Sequence, residues 1–555
     1  MNHLLQVSQH QDLLQSIPSH QHQERTLAAI DVGTNSIHLV VVQIQPQLPS
    51  FNIIAKEKDT VRLGDRDPET GCLTGKAMHR AIDALRRCRD LANSLNAEDI
   101  VAVATSAVRE APNGPDFVRK VERELGLFIN LISGEEEARR IYLGVLSGME
   151  FQQQPHVIID IGGGSTELIL GDGHEPRVLS STKVGAVRLT AEYVTTDPIS
   201  DSEFSYLQAY VRGRLERPIE DLQGHLGLHE IPRLVGTSGT IEALATLHAY
   251  DVFGTVPSTL NGHELPFADL ERIVDRLRKL KLSARLELPG MSQRRAEIIV
   301  AGAIVLQEAM ALLRAESIVI CERALREGVV VDWMLTHGLI EDRLRYQGSV
   351  RQRSVYNLAQ KYQVNLAHGE RVARFALALF DQTRGTLHHW GKDERELLWA
   401  AAILHNCGHF VSHASHHKHS YYLIRHGGLL GYTEVEIEAI ANLARYHRKS
   451  TPKKKHENYR NLPSKEYRQM VDQLSALLRL AVALDRRQLG VIKQVRCEID
   501  PAAKELKLHL YRAVPTDPCS LELWSLNDKK DSFESEFGLA VVPVLEEIVY
   551  PPSPV

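Results

Sequence analysis

The chain has 555 residues, of which 43% are hydrophobic and 24% charged, and its formal net charge is −5. This composition is typical of a soluble globular protein with roughly three to four domains of about 100–200 residues each. It excludes a generally basic nucleic-acid-binding protein, and no apolar run approaches the ~20 residues of a membrane span. Six scattered cysteines without a C-x-x-C pair favour a reducing, cytoplasmic setting without a disulfide framework.

The first predicted segment is a disordered tail over residues 1–24, because Gln and His dominate it and no signal-peptide pattern is present. Two α/β regions follow, at 25–150 and 151–338. In the first, a predicted helix over Lys76–Leu95 precedes a strand over Ile100–Ala104; in the second, a strand–turn–helix contains the sequence V-G-T-S-G-T. This alternation predicts layered α/β lobes.

One nine-residue pattern occurs in both regions. Asp31–Leu39 and Asp160–Leu168 both fit D-[VI]-G-x-x-S-x-x-L, and each copy lies between two short apolar runs. The pattern predicts a strand, a tight turn and a second strand. Glycines in such a turn let backbone N–H groups converge on an anion, and the leading aspartate can position a hydrated divalent cation. The repeat therefore predicts two related lobes that hold phosphate across a cleft.

An acidic helix start lies between the two copies of the pattern. Ser133 is the predicted N-cap, and Glu136, three residues on, completes a capping box. The capping role explains Glu136, but it does not explain why an acidic residue also stands at Glu137. At a cleft, Glu137 could instead take the proton from a water that attacks a phosphoryl group.

Two further candidates follow predicted strands. Arg109 could pair with phosphate oxygens, or it could be a surface arginine that caps a helix. The loop with Gly236, Ser238 and Gly239 could cradle another phosphate, or it could be an ordinary turn. The chain has no G-x-x-x-x-G-K-[ST] sequence, which excludes a P-loop protein.

Helical periodicity dominates from 339 to 490, for example over Gly369–Thr383 and Glu394–Leu404. Short strand-like runs at Val495–Ile499 and Leu506–Leu510 predict a small α/β segment over 491–555.

The most basic stretch of the chain interrupts the predicted helices. It is either an exposed charged loop or a groove that follows a long polyanion. The residues of this candidate channel are Arg445, Arg448, Lys453, Lys454 and Lys455.

Six motifs occur in a fixed order between residues 27 and 328. They are A-T-S-A-V-R (Ala104–Arg109), I-S-G-E-E-E-A-R-R-I-Y-L-G-V (Ile132–Val145), D-I-G-G-G-S-T-E-L (Asp160–Leu168), V-G-T-S-G-T (Val235–Thr240), R-A-E-I-I (Arg295–Ile299) and L-R-E-G (Leu325–Gly328). Together they resemble the exopolyphosphatase/guanosine pentaphosphate phosphatase (Ppx/GppA) family. The two hairpins also resemble the wider superfamily of actin, heat-shock ATPases and sugar kinases.

The resemblance implies an α/β fold of two actin-like (ribonuclease H-like) lobes with an interlobe cleft. An all-α HD-like domain and a small β-containing C-terminal segment would follow. The implied protein is a cytoplasmic, homodimeric exopolyphosphatase that uses Mg²⁺ or another divalent cation to release terminal orthophosphate from inorganic polyphosphate. Guanosine pentaphosphate is the alternative substrate. A sensor without turnover and an ATP-dependent sugar kinase are more distant alternatives, because neither explains a water-activating glutamate.

The resemblance also implies roles for single residues. Glu137 would be the base that activates water, and Asp160 and Glu167 would organise the cation and the terminal phosphate. The phosphate-binding residues that it implies are Asp31, Gly33, Thr34, Asn35, Ser36, Arg109, Gly162, Gly163, Gly164, Ser165 and Arg295.

The helical region contains residues in the order of the HD-domain metal site, H…HD…D. They are His368, His405–Asn406 and Asp485. Because Asn406 cannot replace a bridging carboxylate as an anionic ligand, we expect a degenerate HD-like domain without metal-dependent hydrolysis. The histidines at 413, 416, 417 and 419 could bind a metal, but the favoured prediction is a solvated polar loop.

Overall fold

The computed structural model of the protein describes residues 24–46, 50–151, 154–173, 175–340 and 350–546. The chain forms two compact units, Met1–Arg353 and Ser354–Val555. The predicted N-terminal tail lies outside the described residues, except for Glu24.

The first unit begins with a five-stranded sheet in the order β3-β2-β1-β4-β5. Strand β1 pairs antiparallel with β2 and parallel with β4. The strands are β1 (Arg25–Val32), β2 (Ile37–Gln45), β3 (Ser50–Asp59), β4 (Asp99–Ala104) and β5 (Ile129–Leu131). The helices of this lobe are α1 (Gly75–Ser94), α2 (Ser106–Arg109), α3 (Gly114–Leu125) and α4 (Gly134–Leu146).

A six-stranded sheet forms the second lobe of the same unit, in the order β10-β11-β9-β6-β7-β8. Its strands are β6 (His156–Ile161), β7 (Thr166–Gly171), β8 (Val178–Thr182), β9 (Arg233–Thr237), β10 (Glu264–Pro266) and β11 (Ser317–Ile320). Its helices are α5 (Ala186–Tyr193), α6 (Asp201–Gly224), α7 (Ser238–Phe253), α8 (Phe267–Lys279), α9 (Leu282–Leu286), α10 (Gln293–Leu313) and α11 (Leu325–Thr336).

The two sheets share one topology. In each, a three-strand antiparallel meander is followed by parallel strands, so that β3-β2-β1-β4 corresponds to β8-β7-β6-β9. The parallel neighbours are connected through segments that contain helices, because parallel strands need a long crossover connection. This arrangement confirms the two related α/β lobes that the repeated pattern predicts.

Helices α4 and α11 pack backbone to backbone. A Cβ atom at Gly144 would overlap the carbonyl of Ala324, and one at Gly328 would overlap the carbonyl of Arg140. Only glycine permits such a close approach. The result is that α4, which carries Glu137, is held against the helix that follows the second sheet.

The sequence expectation that no apolar run approaches a membrane span overlooked helix α10, which is long and apolar enough to cross a membrane by length and composition alone. Most of that apolar stretch is buried within the second lobe, where the helix packs against α6 and α8. Its hydrophobicity is therefore that of a core helix.

Helices form most of the second unit, and a three-stranded sheet in the order β12-β13-β14 closes it. The strand predictions near 495–499 and 506–510 are confirmed, because β12 and β13 form an antiparallel hairpin. The elements from residue 350 onwards are α12 (Val350–Lys361), α13 (Leu366–Thr383), α14 (Lys392–Leu404), a 3₁₀ helix (Cys407–Phe410), α15 (His416–Arg425), α16 (Glu434–Tyr446), α17 (Glu457–Arg460), α18 (Lys465–Ala483), β12 (Ile492–Asp500), β13 (Glu505–Arg512), α19 (Ser520–Lys529), α20 (Asp531–Phe537) and β14 (Ala540–Glu546).

Candidate active site

The two nine-residue repeats form hairpin turns of the same geometry. In the first turn the N–H of Gly33 donates to the carbonyl of Ser36 at 3.1 Å, and in the second the N–H of Gly162 donates to the carbonyl of Ser165 at 2.9 Å. Both turns line one cavity of about 390 Å³ in the first unit. The predicted strand–turn–strand structure is confirmed, and the two copies face the same space.

The eighth position of the repeat makes the two hairpins chemically different. It is His38 in the first and Glu167 in the second, and each lies across the ladder from its own leading aspartate, Asp31 or Asp160. Burial, followed by the nearby guanidinium of Arg326, lowers the pKa of His38 to about 3, so its ring is neutral. The second hairpin therefore carries two carboxylates and the first carries one.

The start of helix α4 places Glu137 at the cavity. The hydroxyl of Ser133 accepts a hydrogen bond from the N–H of Glu136 at 3.1 Å, which confirms the predicted N-cap. The predicted capping box is wrong in its second half, because the Glu136 carboxylate accepts bonds from Arg139 and Arg140 instead. Glu136 is thus held by arginines on α4 itself, and Glu137 is 7% exposed on the cavity side.

Arg109 lies behind Glu137. Its Nη1 donates to Oε2 of Glu137 at 3.0 Å and to the carbonyl of Ile132 at 2.9 Å. Burial raises the pKa of Glu137 to about 7, and the Arg109 charge opposes that rise. Glu137 is therefore a carboxylate whose protonation changes near neutral pH, which suits a general base.

Four more carboxylates that are wholly or partly buried line the same cavity: Asp160 and Glu167 are buried, and Asp31 and Glu242 are half-buried. Burial raises the pKa of Asp31 to about 6 and that of Asp160 to about 7, and it raises the pKa of Glu167 well above its ordinary value. The Oδ1 atom of Asp31 is buried without a hydrogen-bond partner. So much buried negative potential is costly unless a cation neutralises it.

Four cations also line the cavity, and three of them were not predicted from the sequence. Lys56, Lys58 and Arg326 line it together with the predicted Arg295. Nη1 of Arg295 donates to Oγ1 of Thr240 at 2.9 Å. Arg326 belongs to the quoted L-R-E-G motif, which is the signal that could have identified it. Lys58 lies at the end of β3, and no local pattern marks it.

The structure brings most of the predicted residues together. Those that line the cavity are Asp31, Gly33, Thr34, Asn35, Ser36, Glu137, Asp160, Gly162, Gly163, Gly164, Ser165, Glu167, Ser238, Gly239 and Arg295. Arg109 reaches it only through Glu137. Gly236 does not line it, because this glycine packs against the side chains of Ile241 and Ile318 in the core of the second lobe. Gly236 is therefore placed for packing and not for phosphate contact.

The residues in HD order lie together in the second unit. Nδ1 of His368 is 2.7 Å from Oδ2 of Asp485, and Nε of Arg371 donates to the same oxygen at 2.8 Å. Asp485 is thus already paired with a guanidinium. Throughout the ranges that the structure describes, no group of three or more His, Cys, Asp or Glu side chains is arranged to hold a metal ion.

The neighbouring histidines and the basic stretch differ in exposure. His416, His417 and His419 lie in helix α15, and the first two are buried, so the prediction of a solvated loop is wrong for all three. It holds for His413, which is exposed before the helix begins. Lys453, Lys454 and Lys455 are exposed, whereas the guanidinium of Arg445 lies 5.7 Å from the ring centre of Tyr421 and Arg448 is half-buried.

Comparisons with known proteins agree with this geometry. The Ppx/GppA phosphatase family model matches residues 40–337, and the model of Ppx/GppA phosphatase, domain III, matches residues 350–530. A guanosine-5'-triphosphate,3'-diphosphate pyrophosphatase of Vibrio cholerae is 30% identical over 487 residues, which cover 87% of this chain and 91% of that protein. A protein of the same name from Pseudoalteromonas atlantica is 28% identical and covers 86% and 90%.

A solved structure is also similar to this chain. An exopolyphosphatase from Cytophaga hutchinsonii aligns with a TM-score of 0.52 at 26% identity, covering 57% of this chain and 98% of that one. The chain belongs to the Ppx/GppA phosphatase family and is a phosphoanhydride hydrolase.

Proposed function

We propose that the protein is an exopolyphosphatase, which removes terminal orthophosphate from inorganic polyphosphate through a Glu137-activated water. The observation that carries this proposal is one buried glutamate with a pKa near neutral, at a cavity lined by two phosphate-type turns. A general base with such a pKa is half ionised near pH 7 and can still accept a proton from water.

The two turns are the proposed phosphate cradle. Gly162, Gly163, Gly164 and Ser165 would donate N–H and hydroxyl groups to the terminal phosphate, while the turn over 33–36 would hold the chain from the opposite lobe. Ser238 and Gly239 line the same cavity and would contact the chain further along.

Positive side chains would neutralise the charge that develops in the transition state. Arg295, Arg326 and Lys58 line the cavity, and Arg109 holds Glu137 from behind. Phosphoryl transfer is catalysed mainly by positioning and by such preorganised charges. The proton of the attacking water would go to Glu137, and the leaving chain would be stabilised by the arginines.

The residues present fit a divalent cation. Asp160 and Glu167 are the proposed ligands. The Oδ1 atom of Asp31 is also buried without a hydrogen-bond partner, so a nearby cation would stabilise its charge. The described residues hold no ready set of three protein ligands, which agrees with Mg²⁺, since this ion keeps several waters and uses one or two carboxylates with substrate phosphates. When bound, the ion would supply charge neutralisation at the terminal phosphate.

Guanosine pentaphosphate is the second candidate substrate. The names of the two full-length relatives favour it. The cavity favours inorganic polyphosphate, because none of the described residues that line it is Phe, Tyr or Trp, on which a base would stack. Both substrates end in the same phosphoanhydride.

Initial rates of orthophosphate release would test the proposal. Defined-length polyphosphate and guanosine pentaphosphate are compared at equal terminal-phosphate concentration, with Mg²⁺ and with a chelator. A higher kcat/KM on polyphosphate supports the proposal, and a preference for guanosine pentaphosphate assigns the alternative. The absence of Mg²⁺-dependent release from both would refute it.

Three wider features belong to the proposal. The basic residues Arg445, Arg448 and Lys453–Lys455 would guide long polyphosphate chains.

All six cysteines are free thiols, which supports a reducing, cytoplasmic location. We also propose a homodimer, which light scattering on the purified protein would test.

A further inference from the structure

Ser181 lies at the end of a row of polar side chains that crosses the second sheet. Asp160 on β6 pairs with Glu167 on β7, and Glu167 pairs in turn with Ser181 on β8. Residues directly opposite each other on neighbouring strands place their side chains close together on one face of the sheet. The row therefore joins the two proposed cation ligands to one neutral hydroxyl.

The hydroxyl of Ser181 holds one oxygen of Glu167. Its Oγ donates to Oε1 of Glu167 at 2.7 Å, and Glu167 is 1% exposed. An ionised carboxylate has about four lone-pair sites, so this bond restricts the rotation of the carboxylate and still leaves sites for a cation. A group that hydrogen-bonds a metal ligand in this way orients the ligand and raises the affinity for the metal.

The other side of Ser181 contacts the start of helix α4. A Cβ atom at Gly134, the first residue of this helix, would lie 2.5 Å from Cβ and 2.6 Å from Oγ of Ser181. These distances are well below van der Waals contact, so glycine is needed for the helix to start this close to β8. Glu137 follows Gly134 by about one turn of helix. Ser181 therefore touches both the proposed cation ligand and the segment that carries the proposed base.

We propose that Ser181 is a positioning residue for hydrolysis: its hydroxyl orients Glu167 toward the cation, and its small side chain lets α4 start where Glu137 faces the cavity. This inference rests on the proposed function, because it takes Glu167 as a cation ligand and Glu137 as the base. Ser181 does not itself line the cavity, so it acts through these two residues and not on the substrate. The two roles are separable, since the first needs the hydroxyl and the second needs only a small side chain.

Binding of Mn²⁺ to the full-length protein tests the role of the hydroxyl. Mn²⁺ is titrated without substrate, the free ion is measured by electron paramagnetic resonance, and a Glu167→Gln protein defines the binding that depends on this ligand. Ser181→Ala should weaken that binding by about tenfold or more, as the loss of a group that orients a metal ligand does. Its single-turnover release of orthophosphate from tripolyphosphate at saturating Mg²⁺ should stay close to that of the wild type.

Ser180→Ala is the matched control. Ser180 precedes Ser181 on β8 and is also half-buried, but successive side chains of a strand point to opposite faces of the sheet. Because Ser180 points away from Glu167, its substitution should change the Mn²⁺ affinity less than about twofold. If Ser181→Ala does not fold, as judged by its melting temperature, Ser181→Gly removes the same hydroxyl and tests the same point.

A double substitution tests the role of the small side chain. Gly134→Ala should lower the single-turnover rate by about tenfold or more, because the displaced helix start moves Glu137 away from the cavity. Alanine favours helix more than glycine does, so a loss of helix propensity does not explain such an effect. Gly134→Ala/Ser181→Gly removes the overlapping atoms of Ser181. It should recover most of the rate, while its Mn²⁺ affinity stays as low as that of Ser181→Gly.

The outcomes separate the two roles from the proposed cation site. An unchanged Mn²⁺ affinity in Ser181→Ala, where Glu167→Gln has lost it, would overturn the orienting role. A double variant that is as slow as Gly134→Ala alone would overturn the packing role. Equal Mn²⁺ binding by the wild type and Glu167→Gln would instead remove Glu167 from the cation site, and the role of Ser181 would fall with it.

Discussion

Removing the Arg109 charge should move the pH dependence of hydrolysis in a defined direction. The pKa of Glu137 is already raised from 4.5 to about 7 by burial, against the opposing effect of Arg109. Glu137 acts as a base only when ionised, so the rate should rise with pH through about 7. Replacing Arg109 by Gln removes the stabilising cation, and the pKa must rise further.

The size of the pKa shift of Glu137 follows from the strength of its hydrogen bond with Arg109. A hydrogen bond to a charged group contributes about 1.5–3 kcal/mol, and 1.36 kcal/mol corresponds to one pKa unit. The side chains of Arg109 and Glu137 are 21% and 10% exposed, so solvent screening favours the lower end of that range. A shift of about one unit would lower the ionised fraction at pH 7 from about a half to about a tenth, a roughly fivefold loss.

The assay is a pH profile of kcat/KM for orthophosphate release from tripolyphosphate at fixed Mg²⁺. Arg109→Gln should move the acidic limb of the profile to higher pH and lose least activity near pH 9. Arg109→Lys keeps the positive charge, so its acidic limb should lie close to that of the wild type. Arg119→Gln is the control, because Arg119 is exposed and pairs with Asp116 on the surface. An acidic limb that stays in place in Arg109→Gln would refute the reasoning.

Other predictions concern the turns, the helix pair, the basic stretch and the cation. Gly185→Ala should lower the melting temperature and abolish hydrolysis, because its Cβ would overlap the backbone of the second turn, while Gly75→Ala, with open space around it, should do neither. Asp332→Asn should lower the free energy of unfolding in urea by about 1–3 kcal/mol, because this carboxylate accepts a bond from Arg139 and ties α11 to α4. Replacing Lys453–Lys455 by alanine should reduce kcat/KM on long polyphosphate more than on tripolyphosphate, and equal losses would exclude a guiding role. A chelator should abolish orthophosphate release and Mg²⁺ should restore it; full activity after chelation would exclude a cation requirement.

Local patterns predicted the hairpins and the helix start because their causes are local. A Gly-containing turn between two apolar runs determines the hairpin, and Ser133 caps α4 through its own neighbours. The capping box failed at Glu136 because two arginines one turn later compete for its carboxylate. A spacing rule does not include that competition.

Residues brought in by tertiary packing could not be predicted in the same way. Lys58 reaches the cavity because β3 pairs with β2, and the burial of His416 depends on its stacking against His447 on the end of α16. Gly236 resembled a phosphate turn in sequence, but the side chains that fill the space beside it come from α7 and β11. Contacts over such sequence distances decide which residues of a motif face a ligand.

A Glu137→Gln variant tests most directly whether Glu137 activates the attacking water. The substitution keeps the shape of the side chain and its place beside Arg109 but removes the base. We predict that single-turnover orthophosphate release falls by about 10²–10⁴-fold, while substrate affinity and melting temperature stay close to those of the wild type. Turnover within about tenfold of the wild type in a folded Glu137→Gln protein would contradict the mechanism, since one general base contributes about 10²-fold or more.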